Sequence, residues 1–279
     1  MRFVLTSDVR DFSQRTDQLF AGRVECNLLA TVLHGLLEAR DSDLPPVLAY
    51  GLDHDEQVRF AALRTPPWPM LATELEPAFA DRFIERWLTA DPDVRRVNAL
   101  APTARAIAAA WQARSGGRTS VRMRLAMHVL EEVRDPAQPA PGRLRPADHR
   151  ERDLLVDWMR AFAEEAGLPG ADRAVDLVDG QLTHGRLSVW DHAAPVSMAG
   201  TAPRVAGVAR IGPVYTPPEH RRRGYATSLV AALSRQALSE DASCCALFTD
   251  LANPTSNKIY AEIGYRRVAD WEVHAFEGA

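Results

Sequence analysis

Ile211-Gly212-Pro213-Val214-Tyr215-Thr216-Pro217-Pro218-Glu219-His220-Arg221-Arg222-Arg223-Gly224-Tyr225-Ala226-Thr227 reads as a strand that ends, a loop that turns and a helix that starts directly after Gly224. The first turn of a helix has unpaired N–H groups and the positive end of the helix dipole, so this junction gathers several backbone donors at one spot. Such a spot suits phosphate oxygens. Gly224 and Ala226 keep side chains away where a ligand would approach the main chain. Arg221, Arg222 and Arg223 offer charge-assisted hydrogen bonds beside it. Taken alone, the segment reads equally well as a solvated arginine run in front of an ordinary helix.

Downstream, Ala226, Leu229, Val230, Leu233 and Ala237 form the apolar stripe of that helix, and Cys244-Cys245-Ala246-Leu247-Phe248-Thr249 is short enough for a buried strand. Asn253-Pro254-Thr255-Ser256-Asn257-Lys258-Ile259-Tyr260-Ala261-Glu262-Ile263-Gly264-Tyr265 then opens a second, short helix from Pro254 to Ile263, with Asn253 as its cap and Pro254 at its first position. Tyr260 follows Ser256 by four residues and Asn257 by three, which puts all three on one helix face. A phenol there is able to donate a proton, although an isolated tyrosine at such a position is usually a core residue.

Together, Arg221-x-x-Gly224-x-Ala226, the apolar helix, the buried strand and Asn253-Pro254-x-Ser256-Asn257-x-x-Tyr260-x-x-x-Gly264-Tyr265 resemble the GNAT superfamily of N-acetyltransferases, from about Leu144 onward. The resemblance implies an α/β (α+β) fold, a mixed and strongly twisted sheet splayed at its middle and flanked by helices, with acetyl-CoA in the opening. Carried over by position, it implies that the backbone of Val214, Tyr215 and Thr216 meets the acetyl and pantetheine end. The amides of Arg222, Arg223, Gly224, Tyr225, Ala226 and Thr227 would cradle the pyrophosphate beside Arg221. Asn253 and Asn257 would touch the pantetheine arm, and Tyr260 would protonate the leaving thiolate. Two positions depart from the family pattern. Arg222 stands where many relatives have glycine, and Ala209-Arg210-Ile211-Gly212-Pro213 holds no carboxylate to deprotonate an amine whose pKa is about 10.4 when lysine-like. Asp191, His192 and Glu219 are the available substitutes, and the base stays unassigned.

Working outward, Leu154, Leu155, Trp158, Met159 and Phe162 mark an amphipathic helix that stops at Gly167. Strands are expected at 185–191, 195–198 and 205–216, and 265–276 reads as a closing strand or hairpin. The proline-rich stretch Asp135–Gly142 is the expected linker between residues 1–134 and 143–279. In the first half, helical stripes fall on Leu28–Leu37, Phe79–Leu88 and 102–112, a hairpin on 47–63 around Asp53-His54-Asp55, and strands on 97–100 and 120–133. This weaker alternation suggests a duplication and hence two tandem GNAT-like domains, the first degenerate and packed on the second. Ala101-Pro102-Thr103-Ala104-Arg105-Ala106 is read as the counterpart of the phosphate loop, lacking its small residues. Trp68, Trp87 and Trp111 are read as core aromatics.

Composition narrows the class. The 279 residues are 46% hydrophobic and 25% charged with a net charge of −4, which fits a globular protein without the positive field of a nucleic-acid binder. That balance argues against RNA or tRNA as a partner of the arginine run. Every basic residue except Lys258 is arginine. Three cysteines, two of them adjacent, do not make a disulfide framework, and the eight histidines are too scattered for a metal site. No signal-peptide or membrane-spanning pattern appears, so a cytoplasmic enzyme is expected, acting on a small-molecule or peptide amine. A CoA-binding sensor or structural module without turnover is the alternative.

Overall fold

A computed structural model describes residues 1–38, 45–168 and 171–278. The chain divides into two compact units, one made of residues 1–127, 250–252 and 268–279, the other of 128–249 and 253–267. The proline-rich stretch 135–142 forms neither helix nor strand. The partition returns 268–279 to the first unit, a crossing that linear boundaries at 134 and 143 do not contain.

The first set of elements is β1 (Arg2–Thr6), α1 (Val9–Phe20), α2 (Asn27–Glu38), β2 (Val47–Leu52), β3 (Val58–Arg64), β4 (Met70–Ala72), α3 (Ala80–Leu88), β5 (Arg96–Leu100), α4 (Ala101–Ser115) and β6 (Arg118–Leu130). The second is β7 (Arg143–Pro146), α5 (Arg152–Glu165), α6 (Ala174–Thr183), β8 (Leu187–Asp191), β9 (Pro195–Thr201), β10 (Val208–Tyr215), α7 (Tyr225–Ser239), β11 (Cys244–Asp250), α8 (Pro254–Glu262) and β12 (Arg266–Glu277). The two sets follow one order of helices and strands. Their strand pairings agree as well: β1·β2, β2·β3 and β3·β4 are antiparallel and β4·β5 parallel, as are β7·β8, β8·β9, β9·β10 and then β10·β11. Identical order with identical sense is the signature of a repeat.

Local chemistry accounts for the boundaries. Asp8 caps α1 by accepting the N–H groups of Arg10 at 2.9 Å and Asp11 at 3.0 Å. Helix α6 escaped the sequence reading because only Ala174, Val178 and Leu182 of it are buried, a narrow stripe. β1 and the three-residue β4 are too short to declare themselves, and α1 (Val9–Phe20) adds a helix with Phe12, Thr16, Leu19 and Phe20 buried that the expected elements did not include. Residues 266–277 form one strand rather than a hairpin, and its Trp271–Ala275 pairs antiparallel with β5 inside the first unit. Residues 143–146 form strand β7, ahead of the helix.

The repeat corrects one expectation. Between β4 and α3 the first unit has Thr73-Glu74-Leu75-Glu76 and a single 3₁₀ turn, Pro77–Phe79, that runs straight into the helix. The second unit has the same turn at Pro218–His220 but inserts Arg221-Arg222-Arg223-Gly224 before α7. The counterpart of the phosphate loop is therefore 73–79 and not Ala101–Ala106, which begins α4, the counterpart of α8. Aligning Pro102-Thr103 with Pro254-Thr255 also matches Ile107 with Ile259 and sets Ala108 opposite Tyr260. The first unit thus has no counterpart of Arg221-Arg222-Arg223-Gly224, and a methyl where the second has a phenol.

Each unit has its own apolar core. In the first, Phe60, Phe83, Trp87, Ile107 and Trp111 are shut off from solvent, whereas Trp68 is half-buried. In the second, side chains alternate along the strands. Val189, Met198 and Tyr215 pack with α5 and α6, while Trp190, Val196, Ala199 and Ile211 pack with α7. The sheet of the second unit is thereby sandwiched between two helical layers. No helix among the described residues is long and apolar enough to cross a membrane.

Candidate active site

Strand β10 runs parallel to β11 for three rungs only, Val208 with Cys244, Ala209 with Cys245 and Arg210 with Ala246. Beyond them β10 continues to Tyr215 and β11 to Asp250 with no further register between the two. On its other edge β10 is irregular between Ile211 and Val214, then resumes pairing with β9 through Val214 and Tyr215. A parallel ladder that stops in mid-strand leaves main-chain N–H and C=O groups facing an opening, which is where an extended polar ligand can complete the pairing. Burial draws the Arg210 guanidinium down to about 10, so it remains cationic at neutral pH.

The loop after β10 delivers the chain to α7. Gly224 takes φ +79° at the N-cap of this fifteen-residue helix and supplies no side-chain cap, so the first-turn amides of Tyr225, Ala226 and Thr227 have no capping oxygen. Arg222 also lies in the left-handed region, at φ +62°. This explains physically why glycine suits its position: an L side chain there is strained. Arg222 and Arg223 are exposed. Arg221 is turned elsewhere: its Nη2 donates to both Glu165 oxygens, at 2.8 and 2.7 Å, and its Nε to the Thr216 carbonyl at 2.8 Å. Ser197 Oγ meets the Tyr215 carbonyl at 3.0 Å and the Thr216 hydroxyl at 2.8 Å.

Helix α8 brings the second group of candidates. The Asn253 side chain accepts the Ser256 N–H at 3.1 Å as a helix cap. Asn257 Nδ2 donates to the Asn253 carbonyl at 2.9 Å, and its Oδ1 accepts from the Thr249 hydroxyl at 2.6 Å, which ties α8 to the end of β11. Tyr260 is buried in the cluster that also holds Ile211 and Leu247, edge-on to Tyr265 at 6.0 Å. Burial pushes its phenol well above the ordinary tyrosine value, which keeps the proton on it throughout the neutral range.

The three substitutes for a base separate. Asp191 stands 3.4 Å from Arg145 Nη2, whose main partner is Glu151. Glu219 is exposed in the 3₁₀ turn. His192 is beside the loop, with Nδ1 2.8 Å from the hydroxyl of Tyr225, the first residue of α7. Glu165 and Ser197 are not legible as partners of the loop from the sequence, because both come from distant elements with ordinary surroundings in the chain. Among the described residues, Asp53, His54 and Asp55 are a group of metal-ligand type, but Asp53 is already engaged by Arg59 and by the N–H groups of Asp55 and Gln57.

Residues 192–273, which span β9 to most of β12, match the family model described as FR47-like protein. Over 99% of this chain and 97% of the other, the fold superposes on a GCN5-related N-acetyltransferase from Sphaerobacter thermophilus with a TM-score of 0.60 at 16% identity. The chain has the GNAT fold. A GCN5-related N-acetyltransferase from Kribbella flavida gives the same TM-score at 17% identity, covering 93% of this chain and 98% of that one. A tandem GNAT protein from the clavulanic acid biosynthesis pathway gives 0.58 at 14% identity, covering 100% and 99%. The tandem arrangement of that structure accords with the repeated element order here. No curated protein sequence matches the chain significantly. In the first unit β4 pairs with β5 along its whole three-residue length, so among these counterpart ladders the one that stops in mid-strand is β10·β11 of the second unit.

Proposed function

We propose that the second unit binds acetyl-CoA and transfers its acetyl group to a primary amine. The observation that carries this reading is the opening where β10 and β11 part after Arg210 and Ala246, followed by a loop that ends on the uncapped amides of α7. The opening fits an extended thioester arm, and the amides from Arg222 to Thr227 fit a diphosphate. The donor is a co-substrate that supplies an activated acyl group.

The residues then divide the work. Main-chain N–H groups on the Val214–Thr216 segment stabilise the oxyanion that forms as the amine attacks the thioester carbonyl. Tyr260 protonates the thiolate as the C–S bond breaks, and the proton given up by the amine as the C–N bond forms passes to solvent and restores the phenol. With Asp191 held by Arg145, the amine enters neutral or loses its proton to water. Asn253 and Asn257 border the arm.

Calorimetry with acetyl-CoA, followed by an amine panel read out as released thiol, tests this directly. Heat of binding and thiol release are expected, and no heat overturns the reading. A binding module without turnover is the second reading, favoured by the absence of a carboxylate from Ala209–Pro213. It predicts heat without thiol.

A further inference from the structure

Glu165 is the last residue of α5, where an acidic side chain faces the negative end of its own helix dipole. Its carboxylate is held by a loop of the candidate site. Both oxygens accept from Arg221 Nη2, and Oε1 also accepts from the Tyr215 hydroxyl at 3.2 Å. The Arg221 guanidinium lies 5.6 Å from the centre of the Tyr215 ring, and its Nε closes on the Thr216 carbonyl. The Glu165 carboxylate in turn holds Arg221 above its ordinary value, and burial beside Glu165 raises the Tyr215 phenol.

The geometry points to Glu165 as a positioning residue for the acyl donor, an inference that rests on the proposed donor reading. Arg221 uses Nε and Nη2 to join three things: the end of β10, the middle of the 216–224 loop and the end of α5. A planar guanidinium with two nitrogens engaged fixes the direction in which the chain leaves the loop, and hence the direction in which the α7 amides face. Glu165 thus presets the diphosphate cradle without touching it. It also fastens that cradle to the α5–α6 layer, on the sheet face opposite α7, so that donor affinity responds to the state of that layer.

The two roles open to Arg221 give opposite signs. If Arg221 served the donor directly, removing Glu165 would free it and leave binding unchanged or tighter. If Glu165 positions the loop, Glu165→Ala weakens acetyl-CoA binding, by about five-fold for a partly exposed ion pair. Calorimetry with acetyl-CoA on the wild type, Glu165→Ala, Arg221→Glu and the charge-swapped pair Glu165→Arg/Arg221→Glu decides between them, with thermal unfolding as the check on folding. The expected result is weaker binding in both single variants, a recovery in the swapped pair relative to Arg221→Glu, and melting temperatures close to the wild type. Unchanged or tighter binding in Glu165→Ala, or no recovery in the swapped pair, overturns the inference while the donor reading stands. No heat from the wild type overturns both.

Discussion

Replacing Gly224 by alanine tests the loop at its most constrained point. The residue takes φ +79° and ψ 1°. A Cβ built there would lie 3.5 Å from the Gln138 carbonyl oxygen and 3.6 Å from Ala140 Cβ, ordinary contact distances, so the surroundings exact no steric cost. What remains is torsional. An L residue in the left-handed region costs about 1–2 kcal/mol, and the stiffer unfolded chain returns about 0.4–1 kcal/mol of that. Gly224→Ala should therefore destabilise the protein by about 1 kcal/mol, read from urea unfolding, and should weaken acetyl-CoA binding because relaxation of the strain turns the first α7 amides. Arg222→Gly reverses the same argument, since Arg222 already bears the strain at φ +62°; it should be neutral or stabilising by up to about 1 kcal/mol. A loss above about 3 kcal/mol in Gly224→Ala would reveal a clash that these distances exclude. No loss, or a destabilised Arg222→Gly, would refute the torsional account.

Other expectations follow from single contacts. Tyr260→Phe should lower turnover on the order of 100-fold with acetyl-CoA affinity nearly unchanged; unaltered turnover removes the phenol from the chemistry. In the first unit, Arg64 and Asp91 are each 6% exposed and paired at 2.5 Å, and Trp87 Nε1 donates to Asp91 at 3.0 Å. Asp91→Ala strands a buried cation and should cost about 3–5 kcal/mol in urea unfolding, and a loss below about 1 kcal/mol would contradict the burial. Glu272, bonded by Arg105 and His274, has its carboxyl drawn down to about 2 from an ordinary value near 4.5. A depressed folded-state value stabilises above pH 4.5 and loses its contribution as pH falls toward 2. The stability gap between wild type and Glu272→Gln should accordingly close across that window, and a gap independent of pH there would show that the carboxylate is not the source.

The legible parts of the molecule are those whose chemistry is local. Gly224, the apolar stripe of α7 and the Asn253-Pro254 start of α8 declare themselves within a few residues, and they carry the GNAT resemblance. What stayed hidden depends on partners far away in sequence. Nothing around Glu165 says that it meets Arg221, and nothing around Arg221 says that two of its nitrogens are occupied before any ligand arrives. The counterpart of the phosphate loop was misplaced for a related reason. A loop that has lost four residues leaves no motif, so its place in the repeat can be found only by pairing strands, which moves it from Ala101–Ala106 to 73–79. Helix α6 was missed because three buried positions in ten give too faint a period.

The strand at 266–277 bears on how the chain is made. Its residues from 268 onward count with the first unit, where 271–275 hydrogen-bond to β5. A polypeptide emerging N-terminus first can bury most of the apolar interior of that unit early, yet it leaves one edge of β5 waiting for a segment about 170 residues further along. Cutting a gene fragment at the proline-rich stretch would produce a protein with an unfilled place in its sheet, whereas a circular permutant that joins residues 268–277 to the front of residue 1 would supply it at the outset. Assembly of the first unit is thus timed by synthesis of the second.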